Sequence, residues 1–381
     1  MNIKSLLLGS AAALVAVSGA RAADAVVVAE PEPMEYVRVC DVYGAGFYYI
    51  PGTETCLKVG GYLRYDIRVG DGGPAGYGGM QDVLDKKDYL DGEYKTNDTY
   101  YKRARAAIQL DARSETELGT LRAYMHLNFD WNTGTYSVYN GTPSPANYVG
   151  EWTTTGTNVG INHAFIELGG FRIGKTDSLF STLTGYAGNV IEDDINGGYG
   201  PFDTHQIVYT YTGGNGFSAS IGVEEGSGDY TIDSYVPHVV GGAAYTQGWG
   251  GISGVVGYDS NFEEWAGKLR LDVNVNDQLS LFVMGGYGSD RHVLRNFYKT
   301  WGGNWAVWGG GTFKFNEKAS FNLQAQYFEN KDVSVIANVA YQLVPGLTIT
   351  PEVAWSSWHN DVTKEKIGDG FAGFLRFQRS F

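Results

Sequence analysis

Two groups of charged residues stand out in this chain: arginines in strand-like segments and a short run of acids. Arg103 and Arg105 lie two positions apart, so both side chains point to the same side of an extended segment. In their own segments, where apolar and polar residues alternate, the polar side also carries Arg64, Arg68, Arg122 and Arg172. Guanidinium groups this close repel one another unless water and facing acids screen them. Their chemistry is therefore ion pairing and the orientation of water, ions and polar solutes.

Bond-making chemistry has little support in the sequence. No phosphate-binding loop, GxGxxG, HExxH or CxxC motif is present, and no serine has a nucleophile-elbow context. The six histidines are scattered without metal-ligand spacing. We predict no catalytic residue, no cofactor and no metal site. An enzyme built by spatial convergence remains an alternative.

The composition favours an all-β protein that does not bind nucleic acid. Glycine (54) and tyrosine (27) are abundant and proline (10) is scarce. The formal charge of −14 argues against nucleic acid as a partner, because phosphate binding needs a basic face.

The N-terminal segment predicts export. Lys4, an apolar stretch over 6–17 and the Ala20-Arg21-Ala22 sequence fit a cleaved signal peptide over 1–22. Its removal takes the charge from −14 to −16. Residues 23–56 are then a periplasmic N-terminal segment. It holds the only two cysteines, Cys40 and Cys56, which we expect to form a disulfide in an oxidising compartment.

From residue 57 onward the chain alternates apolar and polar residues. Leu63, Ile67 and Val69 fall on one parity, and Arg64 and Asp66 fall on the other. Such strands fit either a soluble sandwich or a membrane barrel with a wet interior. Segments of about ten residues suit a tilted membrane crossing. Short turns alternate with longer loops near 70–99, 130–158, 177–204, 227–235, 289–303 and 357–368. We therefore predict a sixteen-stranded antiparallel transmembrane β-barrel over 57–381.

The segment around the two cysteines resembles a known protein family. Residues 37–62, VRVCDVYGAGFYYIPGTETCLKVGGY, resemble the start of alphaproteobacterial porins of the Brucella and Rhizobium type. The resemblance extends through the strand pattern to Phe381. It implies a homotrimeric general-diffusion porin in the outer membrane. In this family the third outer loop folds into the barrel, and by position that loop is the segment from Asp177 to Thr204.

The resemblance and the charges together predict a constriction. The third loop would carry Glu192, Asp193, Asp194 and Asp203 into the lumen, opposite the six arginines. Small polar solutes would cross the resulting field, and apolar solutes would be disfavoured. The acidic loop and chain predict a weak preference for cations. The alternatives are that these acids sit on a solvated outer loop that binds divalent ions or lipopolysaccharide, and that the arginines merely line the lumen.

The predicted function is a passive aqueous channel for small hydrophilic solutes and ions. A substrate-selective channel, for example for sugars, is the first alternative, with a barrel enzyme or an adhesin behind it. Phe381, which follows an alternating strand, resembles the signal that the barrel-assembly machinery reads. Expected partners are that machinery, two further copies of the chain, and outer-membrane lipid and lipopolysaccharide.

Overall fold

The computed structural model describes residues 38–71 and 78–381, and the predicted signal peptide over 1–22 lies outside these ranges. Nineteen strands occur in the described part of the chain. They are β1 (Tyr48–Tyr49), β2 (Cys56–Gly70), β3 (Met80–Leu84), β4 (Thr96–Thr99), β5 (Tyr101–Thr116), β6 (Gly119–Tyr139), β7 (Tyr148–Leu168), β8 (Phe171–Thr176), β9 (Thr204–Thr212), β10 (Phe217–Glu224), β11 (His238–Gln247), β12 (Gly250–Asp259), β13 (Glu264–Asn274), β14 (Leu279–Gly288), β15 (Trp305–Asn316), β16 (Ala319–Phe328), β17 (Val333–Val344), β18 (Leu347–His359) and β19 (Lys366–Ser380). Two short helices are α1 (Lys86–Leu90) and α2 (Leu179–Thr182). No helix among the described residues is long and apolar enough to span a membrane.

Sixteen of the strands close into an antiparallel barrel. β2 pairs with β5, each later strand pairs with the next, and β19 returns to pair with β2 from Ala372 opposite Gly70 to Ser380 opposite Tyr62. Closure satisfies the backbone hydrogen bonds of every barrel strand without leaving an edge, as a spanning β-structure requires. The prediction of sixteen strands is confirmed.

The barrel is apolar outside and polar inside. Leu63, Leu269 and Val353 on the apolar parity are 58%, 60% and 64% exposed. Asp66 and Gln324 on the polar parity are 3% and 0% exposed. A soluble sandwich would bury the first set and expose the second. The observed exposure is that of a lipid-facing wall around a polar interior.

Two predicted loops are largely ordered structure. The expected loop over 130–158 is mostly strand, because β6 continues to Tyr139 and β7 begins at Tyr148. This hairpin is rich in threonine and tyrosine, which suit strands, and it lacks the apolar face that the prediction required. The segment over 70–99 likewise contains β3, α1 and β4. The prediction was wrong here because a hairpin that extends past the bilayer needs no lipid-facing side.

The predicted disulfide is confirmed. Cys40 is bonded to Cys56, the first residue of β2, at the end of the barrel that carries the short turns (the short-turn end). Phe47 packs against the pair, and the Tyr43 hydroxyl donates to Glu115 Oε1 at 2.7 Å. The guanidinium of Arg113 lies 5.1 Å from the Phe47 ring centroid. The bond therefore fixes a small module against β2 and β5.

Replacing both cysteines with serine is expected to loosen this module and to leave the barrel closed. A closed loop of this size is worth about 3 kcal/mol in the chain-entropy model. Proteinase K with mass spectrometry should find new cleavage between residues 38 and 55 in the variant. The heat stability of the barrel on gels should be unchanged; a large loss of barrel stability would contradict the local role.

Candidate constriction site

The loop over 177–203, which we call the inner loop, enters the barrel after β8. Its first turn is fixed by Glu224 of β10. Ser178 Oγ and the Leu179 amide each donate to the Glu224 carboxylate at 2.8 Å. The Tyr298 hydroxyl donates to the same carboxylate at 3.1 Å. One buried acid therefore joins the start of the inner loop to a second loop, over 289–304.

The tip of the inner loop reaches the opposite wall. The amides of Ile191 and Glu192 donate to the Glu352 carboxylate of β18, the second at 3.1 Å. Gln324 of β16 donates to the Asp193 carbonyl at 2.8 Å, and Asn338 of β17 donates to the Asn189 carbonyl at 3.0 Å. The inner loop thus crosses the interior from β8 to β16–β18.

An apolar core fills the side of the barrel near β9–β16, where the inner loop and the second loop meet. Phe180 and Tyr199 of the inner loop pack in one buried cluster with Tyr298 and Trp301 of the second loop and with Met284 of the wall. The other members are Leu179, Ala187, Val208, Val240, Val255, Ala266, Phe282, Phe297, Ala306, Trp308 and Phe328. The second inward loop was predicted only as an outer loop. Water is therefore excluded from the interior near β9–β16 at this level.

Glycines on the inner face make room for the second loop. A Cβ on Gly257 would lie 2.5 Å from the Tyr298 ring, and one on Gly286 would lie 3.0 Å from the Trp301 ring. Both glycines take the inward positions of β12 and β14. Glycine on the polar parity of a barrel strand was the sequence feature that could have revealed a loop packed inside.

The predicted acids of the inner loop occupy different surroundings. Glu192 is buried and forms an ion pair with Arg68 at 2.8 Å. Asp193 accepts a hydrogen bond from the Tyr199 hydroxyl at 2.7 Å. Asp194 is half-buried, and Asp203 is exposed and pairs with Lys175. The structure therefore brings one predicted acid and one predicted arginine, Glu192 and Arg68, into direct contact.

Burial changes the proton affinity of two of these acids. Desolvation raises the pKa of Glu192 to about 8, although Arg68 opposes the rise, and Asp194 and Glu352 add to it. Desolvation also raises the pKa of Asp193 to about 7, against the hydrogen bond from Tyr199. Burial outweighs the ion pair at Glu192 because this residue is only 5% exposed and little solvent reaches its carboxyl group.

Five of the six predicted arginines meet partners on the wall itself. Arg103 donates to Asp66 at 2.6 Å, and Arg105 pairs with Asp130 at 2.7 Å. Arg64 donates to the Gln378 amide oxygen at 2.9 Å. The remaining contacts are Arg122 with Asp111 and Glu167, and Arg172 with Glu167. These side chains do not reach the acids of the inner loop in any described contact.

The inner face of β19, β2 and β5–β8 is thus a paired but net basic surface, which we call the arginine wall. Its arginines are Arg64, Arg68, Arg103, Arg105, Arg113, Arg122, Arg172 and Arg376. Its own acids are Asp66, Asp111, Asp130 and Glu167. Eight guanidinium groups face four carboxylates, so this set carries four excess positive charges before the inner loop contributes.

Sequence reasoning placed Asp66 on the polar face but paired no wall acid with an arginine, and it did not single out Arg113 or Arg376. The information was present in the turn between β5 and β6. Pairing outward from Thr116 opposite Gly119 places Arg105 opposite Asp130. The period of two places Asp66 between Arg64 and Arg68 on the same face. No group of three or more metal-binding side chains occurs in the described ranges.

A closed barrel with a lipid-facing exterior, a charged inner wall and a loop across its interior defines an outer-membrane channel. The comparisons with known proteins agree. A family model described as porin subfamily matches residues 24–372. Porin Omp2a of Brucella melitensis is 50% identical over 392 aligned positions, and Porin Omp2b of Brucella neotomae is 49% identical over 397; both alignments cover 100% of each chain.

Solved structures share the fold. The outer membrane channel DcaP of Acinetobacter baumannii superposes with a TM-score of 0.62 at 17% identity, covering 87% of this chain and 99% of that one. A triple mutant of Rhodopseudomonas blastica porin gives 0.53 at 14% identity, covering 85% and 100%. The chain belongs to the porin family and is a multi-pass β-barrel of the bacterial outer membrane. The predicted family and location are confirmed.

Proposed function

We propose that this porin is a general-diffusion channel whose narrowest passage lies between the inner loop and the arginine wall. The observation that carries the proposal is the crossing itself, held at Glu224 on one side and at Glu352 on the other. Inward side chains near β9–β16 are packed, whereas those of the arginine wall keep partial exposure, such as 16% for Arg103 and 35% for Arg172. Water and solutes therefore have a path along one wall.

Swelling of liposomes that contain the purified protein tests this function. Uncharged sugars of increasing size should enter at rates that fall with size and barely differ between isomers, because a passive pore recognises dimensions more than identity. Fast entry of a single sugar would favour a substrate-selective channel. Absence of both swelling and ion conductance would favour a barrel enzyme or an adhesin.

Ion selectivity is expected to depend on pH. The pKa values of Glu192 and Asp193 are raised to about 8 and about 7, so both are largely neutral at pH 6 and charged at pH 9. The neutral, protonated carboxyl groups are the form that tolerates burial, so the inner loop is held in place most strongly at low pH. This attachment weakens as the pH rises through the two pKa values.

Reversal potentials in a salt gradient should accordingly shift toward cations between pH 6 and pH 9. The weak cation preference predicted from the chain's acidity is thus expected mainly at alkaline pH. Glu192→Gln should reduce the shift, and Glu317→Gln, in the exposed turn between β15 and β16, should leave it unchanged. A preference that does not change with pH would contradict the protonation of these acids.

We also propose the partners that such a porin would have in the outer membrane. A homotrimer would seal apolar barrel walls against one another, and the small outward residues Ala104 and Ala106 would allow close approach. Loss of a slowly migrating gel band on heating would support this state. Phe381 pairs through its backbone with Gly61 at 3.1 and 3.2 Å, and its ring is exposed. An exposed terminal ring is compatible with reading by the assembly machinery, and the outward wall with lipid and lipopolysaccharide.

A further inference from the structure

Five rings form an unbroken row on the arginine wall. The centroids of Phe165 and Tyr124 are 5.3 Å apart, and Tyr124 is followed by His163 at 6.1 Å. His126 lies 5.5 Å from His163, and Tyr62 lies 6.1 Å from His126. All five project inward from β2, β6 and β7. The row leads from the level of Arg64 toward the short-turn end.

Guanidinium groups cover the rings at the short-turn end of this row. Arg122 Cζ lies 4.8 Å from the Tyr124 centroid and 5.4 Å from the Phe165 centroid. Arg172 Cζ lies 5.1 Å from Phe165. The edges of both guanidiniums are held by the Glu167 carboxylate, at 2.8 and 2.7 Å. With one face on a ring and the edges on acids, the opposite face of each guanidinium is what remains for a solute.

The opposite end of the row, at Tyr62, differs in the partners of its arginine. Arg64 Cζ stacks 4.5 Å from the Tyr62 centroid, and its Nε donates to Gln378. No described hydrogen bond or ion pair joins Arg64 to a carboxylate. Its charge is therefore less compensated than that of Arg122, and the arginine wall as a whole carries the excess positive charge counted above. An anion is attracted to this end of the row.

We propose that these five rings and their three arginines, which we call the ring track, bind flat aromatic anions such as aryl carboxylates during passage. Stacking on the free face of a planar guanidinium selects flat rings, and the charge excess selects anions. Sugars are poorer ligands here because guanidinium groups cover faces of Phe165, Tyr124 and Tyr62 on which they would stack. Organic cations are repelled. The inference rests on the proposed channel function and names a solute class for it.

Single-channel recording with 2-naphthoate tests the ring track. Its fully saturated analogue, decahydro-2-naphthoate, has the same charge without a flat ring, and 2-naphthylmethylammonium has the ring with the opposite charge. We expect 2-naphthoate to occupy the channel, as the product of block frequency and block duration, about tenfold more than either analogue. Equal block by the saturated analogue would overturn the proposal.

Two variants test the stacking while the net charge of the ring track stays the same. Arg122→Lys keeps the charge and loses the plane, and Tyr124→Leu removes the ring beneath it; each should reduce the excess block by 2-naphthoate. Arg291→Lys, at an exposed residue of the second loop that does not contact the ring track, is the matched control and should block like the parent. Unchanged block in both track variants would overturn the ring track. A chain that conducts without ring-selective block overturns this inference alone, whereas a chain that does not conduct overturns the channel function as well.

Discussion

Glu352→Leu is expected to raise single-channel conductance about twofold or more, because the inner loop then loses one of its attachments to the far wall. The Glu352 carboxylate accepts the amides of Ile191 and Glu192 and a side-chain hydrogen bond from Asn338 at 2.9 Å. Leucine fills similar space but accepts nothing. Each buried donor left without an acceptor costs about 1–3 kcal/mol, so the loop tip should leave the wall.

The conductance should be measured in planar bilayers at 1 M KCl, together with entry of sugars into liposomes. A released loop predicts noisier current and faster entry of the larger sugars. Glu317→Leu removes an acid from an exposed turn and should conduct like the parent. Unchanged conductance and sugar entry in Glu352→Leu would show that this attachment does not hold the constriction.

Arg68→Ala is expected to move selectivity toward cations by about threefold to fivefold. Removal of one unit charge from a watery passage changes the energy of an ion about 4 Å away by about 1 kcal/mol. Arg68 is also the only predicted arginine in described contact with the inner loop, through Glu192 at 2.8 Å. Its loss removes the cation that lowers the pKa of Glu192, so a larger fraction of this buried acid is protonated in the variant unless the pH is well above 8.

Reversal potentials at pH 10, well above the pKa of about 8 that Glu192 has beside Arg68, measure this effect best. The double variant Arg68→Ala, Glu192→Gln removes both charges and should return the selectivity toward the parent value. Arg379→Ala, on an exposed residue at the outer side of β19, is the control. A shift toward anions in Arg68→Ala, or equal shifts in the single and double variants, would contradict the assigned pair.

The barrel could be predicted because the alternation of apolar and polar residues is visible within each strand. Alternation such as Leu63, Arg64, Tyr65 and Asp66 assigns each side chain to lipid or lumen without knowledge of distant residues. Turns and strand bounds followed from the same pattern within a few residues for most of the chain. The rule failed at the β6–β7 hairpin, which continues where there is no lipid to impose an apolar face.

The interior could be predicted only in part because it depends on contacts across the barrel. Nothing near Glu192 in the sequence indicates Glu352, which lies 160 residues away. The pairing of Arg105 with Asp130 needed only the register of one turn and could have been found. The inward position of the second loop could have been predicted only if Gly257 and Gly286 had been recognised as a packing surface on the inner face of the barrel.

The open path through the channel is expected to follow the arginine wall and not the packed side of the barrel. Cysteine substitution tests it directly, because the described residues contain no free cysteine. Arg103→Cys places a thiol on the path and leaves Asp66 paired with Arg376, whereas Met284→Cys places one in the packed cluster. The measurement is the current through single channels during addition of the anionic thiol reagent methanethiosulfonate ethylsulfonate. We predict a stepwise, reducible change in conductance for Arg103→Cys and none for Met284→Cys; equally fast modification of Met284→Cys, or no reaction at Arg103→Cys, would contradict the account.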